Sequence, residues 1–123
     1  MSREVMTIEN GMVSVPADIE IWMTQHELAD LFQCFVSKIN ANVRFILKSG
    51  VMDETKVCRT YNYKNGNSVE QYNLEMIIAL SFRIKSKNTE LFRNWFVKKV
   101  IVDDVIKTPA HLICNSWNSI QLN

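Results

Sequence analysis

The 123-residue sequence has few of the residues that build common catalytic and cofactor sites. Its three glycines all fall at predicted turns, so no glycine-rich phosphate loop is present. Its three cysteines, Cys34, Cys58 and Cys114, form no Cys-x-x-Cys pair, which argues against a disulfide framework or a zinc site. The two histidines, His26 and His111, have no second histidine or carboxylate at ligand spacing. These absences predict a protein that is not an enzyme and needs no metal or cofactor.

Long hydrophobic runs are also missing. No apolar run approaches the roughly 20 residues that span a bilayer, and the first residues lead into an alternating pattern instead of a hydrophobic block. We therefore expect no membrane association, no signal peptide and a cytoplasmic location. With 47% hydrophobic and 22% charged residues in 14.3 kDa, the composition is that of one globular domain over 1–123.

The net charge of +1 conceals an uneven distribution along the chain. Up to residue 34 there are six Asp and Glu against Arg3 alone, whereas residues 35–99 contain twelve Lys and Arg against five Asp and Glu. A basic central segment favours a polyanionic partner such as double-stranded DNA. The alternative is that these charges form an ordinary solvated surface.

The stretch from Met23 to Gly50 predicts two helices joined by a short turn. Thr24 precedes Glu27 by three residues, the spacing of a capping box at a helix start. After a break over 33–35, apolar residues recur at helical spacing and Gly50 supplies a left-handed stop. The opposite side of this second helix carries Ser37, Lys38, Ala41, Arg44, Phe45 and Lys48. A short capped helix before a longer one with a basic outer face is typical of a helix-turn-helix; the alternative is a plain αα-hairpin.

The flanking segments predict strands and further helices. Asn10-Gly11 between alternating residues predicts a β-hairpin over 5–15, followed by a short lead-in strand over 19–23. Residues 55–63 and 68–73 predict a second hairpin around 64–67, in the position of the wing of a winged helix. We expect a buried helix over 74–82, a long apolar helix from residue 88 or 89 to about 106, and a docked tail over 109–123.

The predicted fold class is therefore α+β, a winged helix-turn-helix with an N-terminal β-hairpin and a long C-terminal helix. Its parts are the hairpin and lead-in (1–20), the helix-turn-helix plus wing (21–73), a helical part (74–108) and the tail (109–123). Because the last helix is apolar on more than one side, we expect it to form a homodimer interface unless the hairpin or the tail covers it.

Several motifs resemble the virulence RhuM-type family of bacterial proteins. The resemblance covers about residues 21–101 and rests on the segments Ile21-Trp22-Met23-Thr24-Gln25, Leu28-Ala29-Asp30-Leu31-Phe32, Ser49-Gly50-Val51-Met52-Asp53-Glu54, Val57-Cys58-Arg59, 72–87 and Phe92-Arg93-Asn94-Trp95. It implies a DNA-binding module of a regulator from a bacterium or a mobile element, acting in transcription regulation.

The turn departs from that family pattern. Where such proteins tend to have Gly-Val-Ser-Arg, this chain has Gln33-Cys34-Phe35-Val36. Phe35 cannot cap a helix, and base-reading residues lie near the start of a recognition helix. The alternative function is therefore a protein–protein interaction domain on the same fold that has lost base reading, with Phe35, Val36 and Phe45 as its contact residues.

For DNA binding, we expect the recognition helix over 36–49 in the major groove and the wing over 61–69 on the backbone. The candidate residues are Gln25, Ser37, Lys38, Ala41, Arg44, Lys48 and Lys64. Gln25 is predicted to lie at a helix N-terminus, where a phosphate meets free N–H groups. Ser37, Lys38 and Ala41 are placed for base edges, and Arg44, Lys48 and the wing-tip Lys64 for phosphates.

Overall fold

The structure is a computed structural model that describes residues 5–16 and 20–107, with side chains up to Ile101. The described residues fall into two compact units, one ending at Arg93 and the other beginning at Asn94. Over these ranges the chain contains five helices and five strands in two small antiparallel sheets, which confirms the α+β class.

The N-terminal hairpin is formed as predicted. Strands β1 (Thr7–Glu9) and β2 (Met12–Ser14) pair antiparallel, with Glu9 opposite Met12. Asn10 and Gly11 both have positive φ, +52° and +75°, which a two-residue turn with the right-handed twist of its strands requires. Part of the predicted lead-in strand, including Ile19, lies outside the described residues; its described part is β3 (Trp22–Thr24).

Helix α1 (Gln25–Phe32) begins with the predicted capping box. The Glu27 N–H donates to Thr24 Oγ1 at 3.1 Å, and the Thr24 N–H donates to Glu27 Oε1 at 2.9 Å. Met23 and Leu28 on either side of this cap are both buried. The helix ends at Gln33, a non-glycine residue in the left-handed conformation (φ +53°).

Helix α2 (Val36–Ser49) follows after three residues and ends at Gly50 with φ +79°, as the sequence predicts. Its buried side consists of Ile39, Val43 and Ile46. These residues belong to the core of the first unit, together with Leu28, Phe32, Met76, Ile77, Leu80, Ile84 and Phe92. The core thus fixes which side of α2 faces solvent.

The second hairpin consists of β4 (Cys58–Asn62) and β5 (Ser68–Asn73), in a sheet of order β3-β5-β4. The prediction of a strand from residue 55 was wrong for its first part, because Glu54–Val57 form a one-turn helix, α3. Asp53 caps this turn, accepting from the Thr55 N–H at 3.0 Å and from Thr55 Oγ1 at 2.6 Å. That side-chain cap overrides the strand preference of the β-branched residues.

Helix α4 (Leu74–Arg83) begins after Asn73, which caps it by accepting from the Met76 N–H through Oδ1 at 3.1 Å. The expectation of a buried helix over 74–82 was wrong at Phe82, which is 57% exposed. Helix α5 (Lys87–Lys107) begins in the first unit and ends in the second. The predicted tail over 109–123 lies outside the described residues.

The start of α5 is tied to the end of α1. Ser86 Oγ donates to the Phe32 carbonyl at 2.7 Å, and Asn88 Nδ2 donates to the Leu31 carbonyl at 2.7 Å. The rings of Phe32 and Phe92 meet edge to face at 5.6 Å between centroids. These contacts satisfy carbonyl groups at the C-terminus of α1 and so hold the turn that leads into α2.

Candidate nucleic-acid interface

The outer side of α2 is exposed along its whole length. The exposed side chains are those of Ser37, Lys38, Ala41, Arg44, Phe45 and Lys48. The 14 residues of the helix include three basic residues and no acidic one. Lys38 and Lys48 are ten positions apart, about 15 Å along the helix axis, which is comparable to the width of a major groove, about 12 Å. Five of the predicted site residues therefore lie together on one basic helix face.

Arg83, at the end of α4, lies on this same face of α2. Its guanidinium carbon is 3.9 Å from the centroid of the Phe45 ring, and its Nε donates to Asn42 Oδ1 at 3.0 Å. Asn42 in turn donates through Nδ2 to the Lys38 carbonyl at 2.9 Å. We call this arrangement of Arg83, Phe45 and Asn42 the arginine clamp. It adds a fourth cation to the α2 face in a fixed position.

Sequence reasoning did not identify Arg83 as a site residue. The hydrogen bond from Arg83 to Asn42 spans 41 positions of the chain, and no local pattern indicates a contact at that separation. The one available signal was an exposed aromatic residue, Phe45, on a polar helix face, because such a ring often has a cation over it. That signal does not say which of the basic residues supplies the cation.

Gln25 is the first residue of α1, at a helix N-terminus as predicted, and its side chain is half-buried. Its Nε2 donates to Asn40 Oδ1 at 3.2 Å and to the Tyr72 hydroxyl at 3.0 Å. The Tyr72 hydroxyl donates to Glu70 Oε2 at 3.1 Å, and burial raises the pKa of Tyr72 to about 12. The Gln25 amide nitrogen thus joins α1 to α2 and to strand β5, and it positions α2 relative to the second sheet.

Lys64 is exposed at the tip of the second hairpin. The tip is held by the Tyr63 N–H donating to the Asn67 carbonyl at 2.8 Å, and by the Asn67 N–H donating to Asn65 Oδ1 at 3.0 Å. The half-exposed rings of Tyr61 and Tyr63 pack edge to face beside it, 5.2 Å apart. The tip is therefore an ordered, polar turn with one lysine, on a separate element from α2.

The turn before α2 exposes an aromatic ring. Phe35 is 83% exposed, the highest value among the large hydrophobic residues of the described ranges. It occupies the N-cap position of α2 and makes no side-chain capping hydrogen bond. Cys34 beside it is half-buried, and desolvation raises the pKa of its thiol although Lys38 opposes the change. Phe35 contributes neither a cap nor a core contact to the fold.

The part of the chain that the structure describes holds no cluster of three or more His, Cys, Asp or Glu residues suited to a metal ion. Of the helices in the described ranges, none combines the length and apolar character needed to cross a bilayer. No protein-family model, curated protein or solved structure matches this chain.

Proposed function

We propose that this chain is a winged helix-turn-helix DNA-binding module in which α2 lies in the major groove as the recognition helix. The resemblance to RhuM-type proteins adds that it belongs to a regulator of a bacterium or mobile element. The hairpin β4–β5 acts as the wing, with Lys64 on the phosphate backbone. Ser37, Lys38 and Ala41 face base edges, and Arg44 and Lys48 face phosphates.

The observation that carries this proposal is the acid-free, exposed face of α2 with Arg83 clamped onto it. Nonspecific affinity for duplex DNA comes mainly from Lys and Arg that replace condensed counterions at phosphates. Lys38, Arg44 and Lys48 are exposed on one helix, and the Phe45 ring and Asn42 hold Arg83 in place. A cation held in position loses less conformational entropy on binding than a free one.

The order of elements supports the same proposal. Two helices joined through a three-residue turn are followed by an antiparallel hairpin, and β3 completes a three-stranded sheet with that hairpin. In a winged helix the second helix and the hairpin both approach DNA. The Gln25 hydrogen bonds connect these two elements through Asn40 and Tyr72.

The competing proposal is a protein–protein interaction domain, and the exposure of Phe35 is the observation that favours it. It expects Phe35, Val36 and Phe45 to form one apolar patch. However, Val36 is half-buried and Phe45 is covered on one side by the Arg83 guanidinium. Phe35 and Phe45 are also ten residues apart, which is about 15 Å along the helix axis. The DNA-binding proposal therefore accounts for more of this surface.

The test is fluorescence anisotropy of the protein on random-sequence duplex DNA over a series of salt concentrations. The wild-type plot of log K against log salt should have a negative slope of several units. The triple variant Lys38→Gln, Arg44→Gln, Lys48→Gln should reduce the slope by about 1.8, because Arg44 and Lys48 are the two residues assigned to phosphates and each lost phosphate contact contributes about 0.9. Single replacement of Arg44 by Ala should reduce it by about one unit.

A matched control changes three exposed lysines outside α2, Lys56, Lys87 and Lys98, to Gln. Both triple variants lose the same net charge, so a purely nonspecific attraction would weaken equally in the two. The proposal requires that the salt slope decrease more in the α2 variant than in the control variant. Equal slopes in the two variants, or no wild-type binding at low salt, would refute DNA binding through this face and favour the protein-interaction alternative.

The homodimer through α5 remains part of the proposal. Within the second unit, Trp95, Phe96 and Val97 are half-buried and Val100 is exposed. Dimeric helix-turn-helix modules place their two recognition helices about 34–36 Å apart, one turn of DNA. Sedimentation equilibrium at several concentrations measures the mass directly, and a single species of 14.3 kDa would exclude the dimer.

A further inference from the structure

Phe35 is a large aromatic residue that the fold does not use. It is 83% exposed, and it fills the N-cap position where Ser, Thr, Asn or Asp would stabilise the helix. Replacing it with serine should therefore leave the fold intact or strengthen α2. The ring is therefore available for contact with a ligand, although a single exposed apolar residue does not by itself identify one.

The position of Phe35 indicates which class of ligand its ring would contact. It lies directly before α2, whose exposed side holds three cations and no acid, with Ser37 and Lys38 in the following turn. A polyanion is the complementary partner for that face. In a helix-turn-helix, the N-terminal residues of the second helix are those that meet base edges. The occupant that fits both facts is the major groove of duplex DNA.

Only one base edge in the major groove offers an apolar group. Thymine carries a 5-methyl group there, whereas the other edges present hydrogen-bond donors and acceptors. A phenylalanine ring has no hydrogen-bonding group and gains binding energy by excluding water from apolar surface. We propose that Phe35 packs on the 5-methyl group of thymine and gives this module a preference for thymine at that position of its site.

This inference rests on the proposed function, since it names what one residue of the recognition element reads. It differs from the predicted contacts of Ser37 and Lys38, which would use hydrogen bonds. It also reverses the expectation that the loss of a polar residue at position 35 removes base reading. With phenylalanine at position 35, the base is read through an apolar contact in place of a hydrogen bond.

The experiment compares binding to alternating poly(dA-dT) with binding to alternating poly(dA-dU). Uracil keeps the pairing and the O4 acceptor of thymine but lacks the 5-methyl group, and an alternating polymer presents that group in every register. The wild type should bind poly(dA-dT) about fourfold more tightly, the factor that corresponds to about 0.8 kcal/mol for one buried methyl-sized group. Phe35→Ser should bind the two polymers equally.

Two further variants make the comparison specific. Phe35→Leu keeps an apolar side chain and should retain part of the preference for thymine. Val51→Ala removes an exposed apolar side chain just beyond the other end of α2 and should keep the wild-type ratio. Far-UV circular dichroism and urea unfolding of Phe35→Ser should show a native fold that is at least as stable as the wild type.

The outcomes separate this inference from the proposed function. If Phe35→Ser keeps the wild-type ratio, or if the wild type binds both polymers equally with the expected salt slope, DNA binding stands and the thymine contact is refuted. If the wild type binds neither polymer at low salt, both proposals fail together. The contact is supported if Phe35→Ser, unlike the other variants, binds poly(dA-dT) and poly(dA-dU) with equal affinity and keeps the wild-type salt slope.

Discussion

The arginine clamp makes a sharp prediction for Arg83→Gln. The substitution removes the guanidinium from the Phe45 ring, 3.9 Å away, and the Nε hydrogen bond to Asn42. An exposed cation–π contact contributes about 0.5–1 kcal/mol to stability, and a hydrogen bond contributes about 0.5–1.5 kcal/mol. Because the site is on the surface, we expect a loss of about 1 kcal/mol in the free energy of unfolding, measured with urea.

The substitution should also weaken DNA binding, and the change should appear in the salt dependence of the affinity. If Arg83 contacts one phosphate, the salt slope falls by about 0.9 in the variant. Between about 50 and 200 mM salt, the ratio of wild-type to variant affinity then shrinks about 3.5-fold. Anisotropy on random duplex DNA at four or more salt concentrations measures both quantities. The variant must be folded in every titration, which the urea curve establishes.

Two controls distinguish a phosphate contact made by the clamped Arg83 from a general effect of positive charge. Lys98→Gln removes one exposed positive charge outside the clamp and should change the slope less than Arg83→Gln. Asn42→Ala keeps the charge of Arg83 but removes its hydrogen-bond acceptor, so the affinity should fall while the slope stays. If Arg83→Gln has the same salt slope as the wild type, the assignment of Arg83 to the proposed DNA-binding face is refuted.

The remaining predictions concern the hydrogen-bond network and the response to pH. Tyr72→Phe removes the acceptor of the Gln25 amide and the donor to Glu70, and should lower the free energy of unfolding by about 1–2 kcal/mol; an unchanged urea midpoint would contradict this. Burial raises the pKa of the Cys58 thiol from 9.0 to about 11 and that of Tyr72 from 10.0 to about 12. A raised pKa means that the folded state holds its proton more firmly, so this stability is complete below pH 9 and is lost progressively as the pH rises towards 12. Thermal unfolding at pH 8 and pH 11 should show a smaller decrease in Cys58→Ala than in the wild type, and equal decreases would contradict the assignment.

The elements that the sequence predicted well are those determined by neighbouring residues. The capping box of Thr24 and Glu27, the Asn10-Gly11 turn and the Gly50 stop each depend on chemistry within four positions. Such signals are local, and the structure reproduces the bounds of α2 as 36–49. The exposed side of that helix followed from the same apolar periodicity that identified its buried side.

The sequence did not predict features in which one contact overrode a local propensity, or in which a contact joined distant parts of the chain. Asp53 capped a turn of helix where β-branched residues indicated a strand. No sequence pattern predicted the hydrogen bonds of the Gln25 amide to Asn40 and Tyr72, or of Arg83 to Asn42, which join residues 15, 47 and 41 positions apart. Periodicity assigns a residue to a face of its own helix, but it does not say which residue of another element lies against it.

Two of the exposed phenylalanines, Phe35 and Phe45, bear differently on the choice between DNA and a protein partner. Phe45 is 56% exposed, but the Arg83 guanidinium lies over its ring, so it serves to fix a cation on the α2 face. Phe35, at 83% exposed, is the more fully presented ring of the two, and a buried phenylalanine contributes about 150–250 Å² of contact area. A stable protein–protein interface buries about 1,200–2,000 Å² in total and has a cluster of apolar anchors at its centre. A single ring beside four cations falls well short of such a centre, whereas the proposed contact with the methyl group of one thymine requires only one apolar side chain.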